Sequence, residues 1–208
     1  MFDIKNYDTF KKIEAINKGW SDDKKFYIET VTNGKLLLRI CDMAEYDKKK
    51  SEYEIIKRLA DRGLPVSRPV DFGVCDNGKS VYSIFVWCDG EDAEKVLPNL
   101  TEVEQYSLGL KSGQILKEIH SIPAPADQED WGSHFNRKAD SKIRLYQDCD
   151  VKIEGDDKII RYIEENRHLL EGREQSFHHG DYHVGNMVIS PQKELYVIDF
   201  NRSDYGDP

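Results

Sequence analysis

Apolar residues along the first ninety positions change period several times, and each change predicts an element. Phe10, Ile13 and Ile16 are spaced as on a short helix that Gly19 ends. Strict alternation follows. Phe26, Ile28 and Thr30, then Asn33-Gly34, then Leu36, Leu38 and Ile40 spell a β-hairpin. A helix is predicted from about Asp47 to Ala60, with Tyr53, Ile56 and Leu59 as its buried stripe and Gly63 past its end. Residues Val70 to Val86 read as a second hairpin around Asp76-Asn77-Gly78.

From Asp89-Gly90-Glu91-Asp92 onward the period is mostly helical. Thr101 and Glu104 form a capping box, and the helix they start carries Tyr106, Gly109, Gly113, Leu116 and His120 along one face. Two glycines on that face predict a second helix packed closely against it. Pro123 and Pro125 end this helix, and Ile159, Ile160, Ile163, Arg167 and Leu170 predict another. A short hairpin follows, Val188-Ile189 against Leu195 to Ile198, turning at Pro191-Gln192. Asp207-Pro208 reads as the start of a further helix, so the pattern predicts a longer natural protein.

Composition narrows the class. The chain has 208 residues, 38% hydrophobic and 33% charged, which suits a soluble globular protein with a real core. No apolar run is long enough to span a bilayer, and the N-terminus lacks a signal-peptide order, so no membrane partner is predicted. The four scattered cysteines fit reduced thiols in the cytoplasm. The net charge of −9 falls mainly on the second half of the chain. That argues against a nucleic-acid partner and suits a cationic small molecule.

Candidate chemistry concentrates in His179-Gly180-Asp181-Tyr182-His183-Val184-Gly185-Asn186, followed by Val197-Ile198-Asp199-Phe200. Asp and Asn five apart, with a second Asp ending an apolar strand, supply oxygen donors and a carboxylate. Mg²⁺-assisted phosphoryl transfer to a hydroxyl needs that set. His178, His179, Asp181 and His183 offer a rival zinc reading. It lacks an established zinc ligand order such as H-E-x-x-H on a helix, and Gly180 and Gly185 disfavour a helix here.

The sequence resembles the aminoglycoside phosphotransferases, small-molecule relatives of the protein kinases. The resemblance runs through Gly19-Trp20-Ser21, Leu36-Leu37-Leu38-Arg39, the helix with Glu52, Val86 to Gly90, the H-G-D-x-x-x-x-N run, Ile198-Asp199-Phe200 and Gly206-Asp207-Pro208. It implies an α+β, two-lobed protein-kinase-like fold. Residues 1–88 would form an antiparallel-sheet nucleotide lobe, and 89–208 a mainly helical, incomplete catalytic lobe. ATP or GTP is the implied donor, Mg²⁺ the implied metal, and a hydroxyl of a small molecule, such as an aminoglycoside-like cationic compound, the implied acceptor.

By the same resemblance, Asp181 is the catalytic base, Asn186 and Asp199 hold the metal, and His179 braces the loop. Arg39 stands where protein kinases carry Lys, with Glu52 its partner on the exposed side of the helix. Ser21 reaches a phosphate, while Val86 and Cys88 offer main-chain groups to the base. No G-x-G-x-x-G is present. The alternative function is a catalytically weak or inactive nucleotide-binding module, a pseudokinase. Arg39 and the sparse glycine loop favour it, and retention of Asp181, Asn186 and Asp199 opposes it.

Overall fold

Alternation on the predicted hairpins gives each strand two unlike faces, and that difference determines how the sheet is used. A computed structural model describes residues 3–17 and 23–208. Five strands form an antiparallel sheet: β1 (Phe10–Ile16), β2 (Lys24–Thr30), β3 (Lys35–Asp42), β4 (Pro69–Cys75) and β5 (Ser80–Val86), in the order β1-β2-β3-β5-β4. Ile28, Leu38, Ile40 and Ile84 cluster with Ile4, Cys75 and Tyr82 in a buried core. On β3 the intervening Leu37 and Arg39 project to the opposite face. Both predicted hairpins are present. Asn33 adopts φ 62°, and Asp76, Asn77 and Gly78 adopt 53°, 55° and 86°, the left-handed conformations these residue types tolerate.

Phe10, Ile13 and Ile16 form no helix, because they lie on strand β1. Phe10 pairs with Thr30 and Ile13 with Ile28, and the register shifts between Phe10 and Lys12. One extra residue in β1 therefore brings Phe10 and Ile13 onto the same face, against the core, despite their odd spacing. A bulge imitated a helical period. A second register shift, between Pro69 and Asp71, interrupts β4.

Helix α1 (Tyr46–Asp61) follows β3. It ends as its sequence predicts: Gly63, at φ 80°, donates to the Ala60 carbonyl, and Leu64 donates to that of Leu59. Its buried residues are Lys49, Glu52, Ile55, Ile56 and Leu59. Glu52 thus lies on the buried side of the helix, at 8% exposure, and not on its exposed side. Tyr53 is half-buried, its ring 5.4 Å from Phe72 and 5.8 Å from Phe85.

The chain groups into two compact units, Met1–Glu118 with His179–Ser203, and Ile119–His178 with Asp204–Pro208. These groupings follow packing, whereas the expected lobes 1–88 and 89–208 divide the chain by function. The first unit adds a three-stranded sheet, β6 (Glu91–Asp92), β8 (Met187–Ile189) and β9 (Leu195–Val197), in the order β6-β8-β9. It also holds the short α2 (Ala93–Val96) and most of α3 (Glu102–His120). In the second unit, β7 (Ser176–His178) pairs with β10 (Asp204–Gly206). Helix α4 (Trp131–Gln147), which the sequence pattern did not predict, is capped by Asp130 accepting from the Ser133 N–H. The predicted helix through Leu170 stops earlier. α5 (Asp156–Glu165) gives way to a 3₁₀ turn, Arg167–Leu170, whose Arg167 bonds Asn136 and Asp140 of α4.

The capping box on α3 is present, with the Thr101 N–H donating to Glu104 at 2.9 Å. Its buried stripe, however, is Leu108, Ile115 and Ile119. Tyr106 is 71% exposed, and a Cβ added at Gly109 or Gly113 would meet no atom within 4 Å. No helix packs on the glycines among the described residues. Their cost to helix propensity is therefore uncompensated, and Gly113→Ala should raise unfolding stability by about 1 kcal/mol in urea titrations.

Candidate nucleotide and phosphoryl-transfer site

Three adjoining stretches build the site, all within the first unit. The first is the loop His179–Asn186. Gly180 sits at φ 76°, where a Cβ would come 1.9 Å from the Arg202 carbonyl oxygen, so only glycine fits. His179 is fully buried. Its Nε2–H donates to the Ile198 carbonyl at 3.0 Å, and its Nδ1 accepts from the Asp181 N–H at 3.3 Å. Those two bonds select one neutral tautomer. Burial pushes the imidazole pKa below its ordinary 6.5, which outweighs the Ile198 carbonyl and the nearby Asp199 and Asp181. As predicted, His179 braces the loop.

The Asp181 side chain is 34% exposed, with Arg202 Nη1 at 3.7 Å and His183 Nε2 at 3.6 Å. Its carbonyl accepts from Asn186 Nδ2 at 2.9 Å, so the amide oxygen is the Asn186 atom left for a cation. Asp199 lies just past β9 with φ 65°, a strained conformation that Asp tolerates and that often marks a functional residue. The Ile198 N–H donates to the Asn186 carbonyl at 3.0 Å, tying the second stretch to the first.

The third stretch is β3 with α1. Arg39 is 7% exposed, and its Nη1 donates to Glu52 at 2.9 Å. Its Nε and Nη2 donate to Asp23 Oδ2 at 3.0 and 2.5 Å, and Nη2 also reaches Asn201. Lys49, one turn before Glu52, donates to the same Asp23 oxygen at 2.8 Å and to Asn201 Oδ1 at 3.1 Å. Asn201 in turn donates to Asp199 at 2.5 Å. Burial opposes the Arg39 charge, yet Glu52 and Asp23 hold its pKa above the ordinary value.

A cavity of about 270 Å³ opens beside these groups. Leu37, Ile56, Phe85, Trp87, Val188 and Val197 give it apolar walls, while Arg39, Asn186 and Asp199 contribute polar ones. Asn186 and Asp199 offer hard oxygen donors to one space, a donor set that fits Mg²⁺.

The sequence profile of the phosphotransferase enzyme family matches residues 12–208. The chain belongs to the phosphotransferase enzyme family. It is 25% identical over 168 residues to acyl-CoA dehydrogenase family member 10 of Mus musculus, a match covering 76% of this chain and 15% of that protein. Its fold is similar to that of a thermostable mutant of aminoglycoside phosphotransferase APH(4)-Ia, with TM-score 0.67, 17% identity, and 100% of this chain against 72% of that one. It is equally similar to the streptomycin–ATP–APH(2")-IIa ternary complex, with TM-score 0.67, 19% identity, and 96% against 68%. The fold is accordingly the α+β kinase-like fold, with an antiparallel sheet leading and helices following.

Of the residues the resemblance singled out in this family member, Arg39, Cys88, Asn186 and Asp199 line the cavity, and Glu52 holds Arg39. Asp181 is joined to them through Asn186. Val86 is not among the lining residues, and its N–H donates to the Arg68 carbonyl at 2.8 Å. Ser21, with Gly19 and Trp20, lies outside the described residues. Asp23, Lys49 and Asn201 escaped the sequence reading. Lys49 carried a signal, its (i, i+3) spacing from Glu52 on one helix face. No zinc-like group forms around His178, His179, Asp181 and His183 among the described residues.

Two measurements probe this frame. Gly180→Ala combines a left-handed φ with backbone overlap and should cost at least about 1–3 kcal/mol in chemical denaturation. His179 stays neutral in the folded state, whereas the unfolded chain takes up a proton below pH 6.5. Stability is therefore present above that pH and falls as pH drops toward the lowered native pKa, by up to about 1.4 kcal/mol per unit. His179→Gln should flatten that acid limb in thermal melts taken across pH 4.5–7.5.

Proposed function

We propose that this phosphotransferase moves the γ-phosphoryl group of ATP or GTP to a hydroxyl of a small cationic acceptor. The observation carrying the reading is that Arg39, Asn186 and Asp199 line one cavity whose other walls are mostly apolar, with Lys25, Ser67 and Asp92 as the further polar groups. An aromatic base suits the apolar walls, and a polyphosphate suits the guanidinium beside them. Residues 1–88 would then serve chiefly the nucleotide and 89–208 the chemistry.

Asn186 and Asp199 would hold Mg²⁺, which neutralises phosphate charge when bound. Arg39, fixed by Glu52, orients the phosphates. Asp181 accepts the hydrogen bond of the acceptor hydroxyl and takes its proton as the new oxygen–phosphorus bond forms. The bond to the β-phosphate oxygen breaks in line, leaving the nucleoside diphosphate. Little covalent chemistry falls to the protein, so positioning and electrostatics carry the rate. Acidic residues in the second half of the chain favour a cationic acceptor. Streptomycin beside ATP in the APH(2")-IIa complex is a compound of that class.

A nucleotide-binding module without turnover is the second reading, favoured by how fully Arg39 is engaged by its own carboxylates. Turnover assays of the full chain with ATP and GTP, Mg²⁺ and a panel of cationic hydroxyl compounds separate the two. Phosphorylated acceptor is expected, and Asp181→Ala should lower turnover by about 10²–10⁴-fold with nucleotide affinity unchanged. Binding without any transfer, or full activity in Asp181→Ala, would overturn the catalytic reading.

A further inference from the structure

Arg39 is not the sole cation beside the cavity. Lys49 projects from the buried face of α1, 9% exposed, and reaches the same two acceptors as Arg39, Asp23 Oδ2 and Asn201 Oδ1. The single oxygen Asp23 Oδ2 accepts from Arg39 Nε, Arg39 Nη2 and Lys49 Nζ, at 3.0, 2.5 and 2.8 Å. One anionic oxygen gripped by a guanidinium fork and an ammonium is the coordination expected of a non-bridging phosphate oxygen.

Glu52 and Asp23 differ in how they are held. Glu52 is fixed in the middle of α1, whereas Asp23 lies just before β2, outside the ladder whose first pair is Lys24 with Ile40. Moving Asp23 breaks no ladder hydrogen bond. With Asp23 in place the two cations touch two carboxylates, and without it they touch Glu52 alone. Burial opposes ionisation of Asp23, but Arg39 and Lys49 hold its pKa below the ordinary carboxylate value, so it is anionic at neutral pH.

The geometry points to Lys49 as a second triphosphate-binding cation, paired with Arg39, and to Asp23 as a resident carboxylate that the triphosphate displaces from between them. The inference rests on the nucleotide reading above and adds to it a ligand and a competitor. Apparent affinity for a polyphosphate is then the intrinsic affinity multiplied by the fraction of molecules whose clamp is open. The nucleoside part of the ligand is indifferent to Asp23. Asn201, bonded to both cations and to Asp199, links the clamp to the donor set proposed for the metal.

Calorimetric titration of the full chain tests this with Mg·ATP, Mg·GTP, inorganic tripolyphosphate, and adenosine and guanosine as phosphate-free controls. Asp23→Asn should tighten the triphosphates and tripolyphosphate about tenfold or more, leaving the nucleosides unchanged. Lys49→Gln should weaken the same anions by a similar factor, and Lys49→Arg should restore them. Unchanged or weaker anion binding in Asp23→Asn, or unchanged anion binding in Lys49→Gln, overturns the proposal. Should Asp23→Asn fail to fold, the Lys49 pair decides it. Tighter anion binding without phosphoryl transfer by any variant would remove the kinase reading and leave the clamp. Transfer with no effect of Asp23→Asn would do the reverse.

Discussion

A guanidinium cannot be taken out of water alone, and the burial of Arg39 governs the arrangement around it. Its place on β3 puts it on the face opposite Leu38 and Ile40. Its charge then demands carboxylates, which come from α1 through Glu52 and from the approach to β2 through Asp23. The rotation of α1 is fixed as much by this demand as by Ile56 and Leu59, since Lys49 and Glu52 occupy the same buried stripe. Asn201 extends the network to Asp199, so a strand, a helix and the segment after β9 are positioned by one set of charge-assisted hydrogen bonds.

A second strut holds the loop from His179 to Asn186. His179 joins the Ile198 carbonyl to the Asp181 N–H, and Asn186 closes the ring through the Asp181 and Ile198 backbones. None of these four bonds uses the Asp181 carboxylate, so the loop backbone is held while that side chain stays partly exposed. Stiff backbone with an accessible acid is the combination that a positional mechanism requires.

How much of this was legible depended on range. The H-G-D run, both N-lobe hairpins, the α1 terminus and the Thr101–Glu104 box are local motifs, each carrying its own reason in adjacent residues. Long-range choices were not legible. The bulge in β1 imitated a helix period, and α3 turned Leu108 and Ile115 inward although its glycines suggested another face. Glu52 was legible as the partner of Arg39 through the resemblance, but the side of α1 it occupies was not, because nothing local to the helix announces which face meets the sheet. For the same reason Asp23 and Asn201, far apart in sequence, were invisible as partners.

The two interrupted strands have one more effect. In the order β1-β2-β3-β5-β4, the bulge-bearing β1 and the Pro69-led β4 are the outer strands, so both margins of the sheet are irregular. A strand from another molecule that tried to add there would find its row of hydrogen-bonding groups broken, beside Lys11 and Lys12 at one margin and a ring lacking an N–H at the other. The features that obscured the period of β1 thus also guard an open sheet against edge-to-edge aggregation.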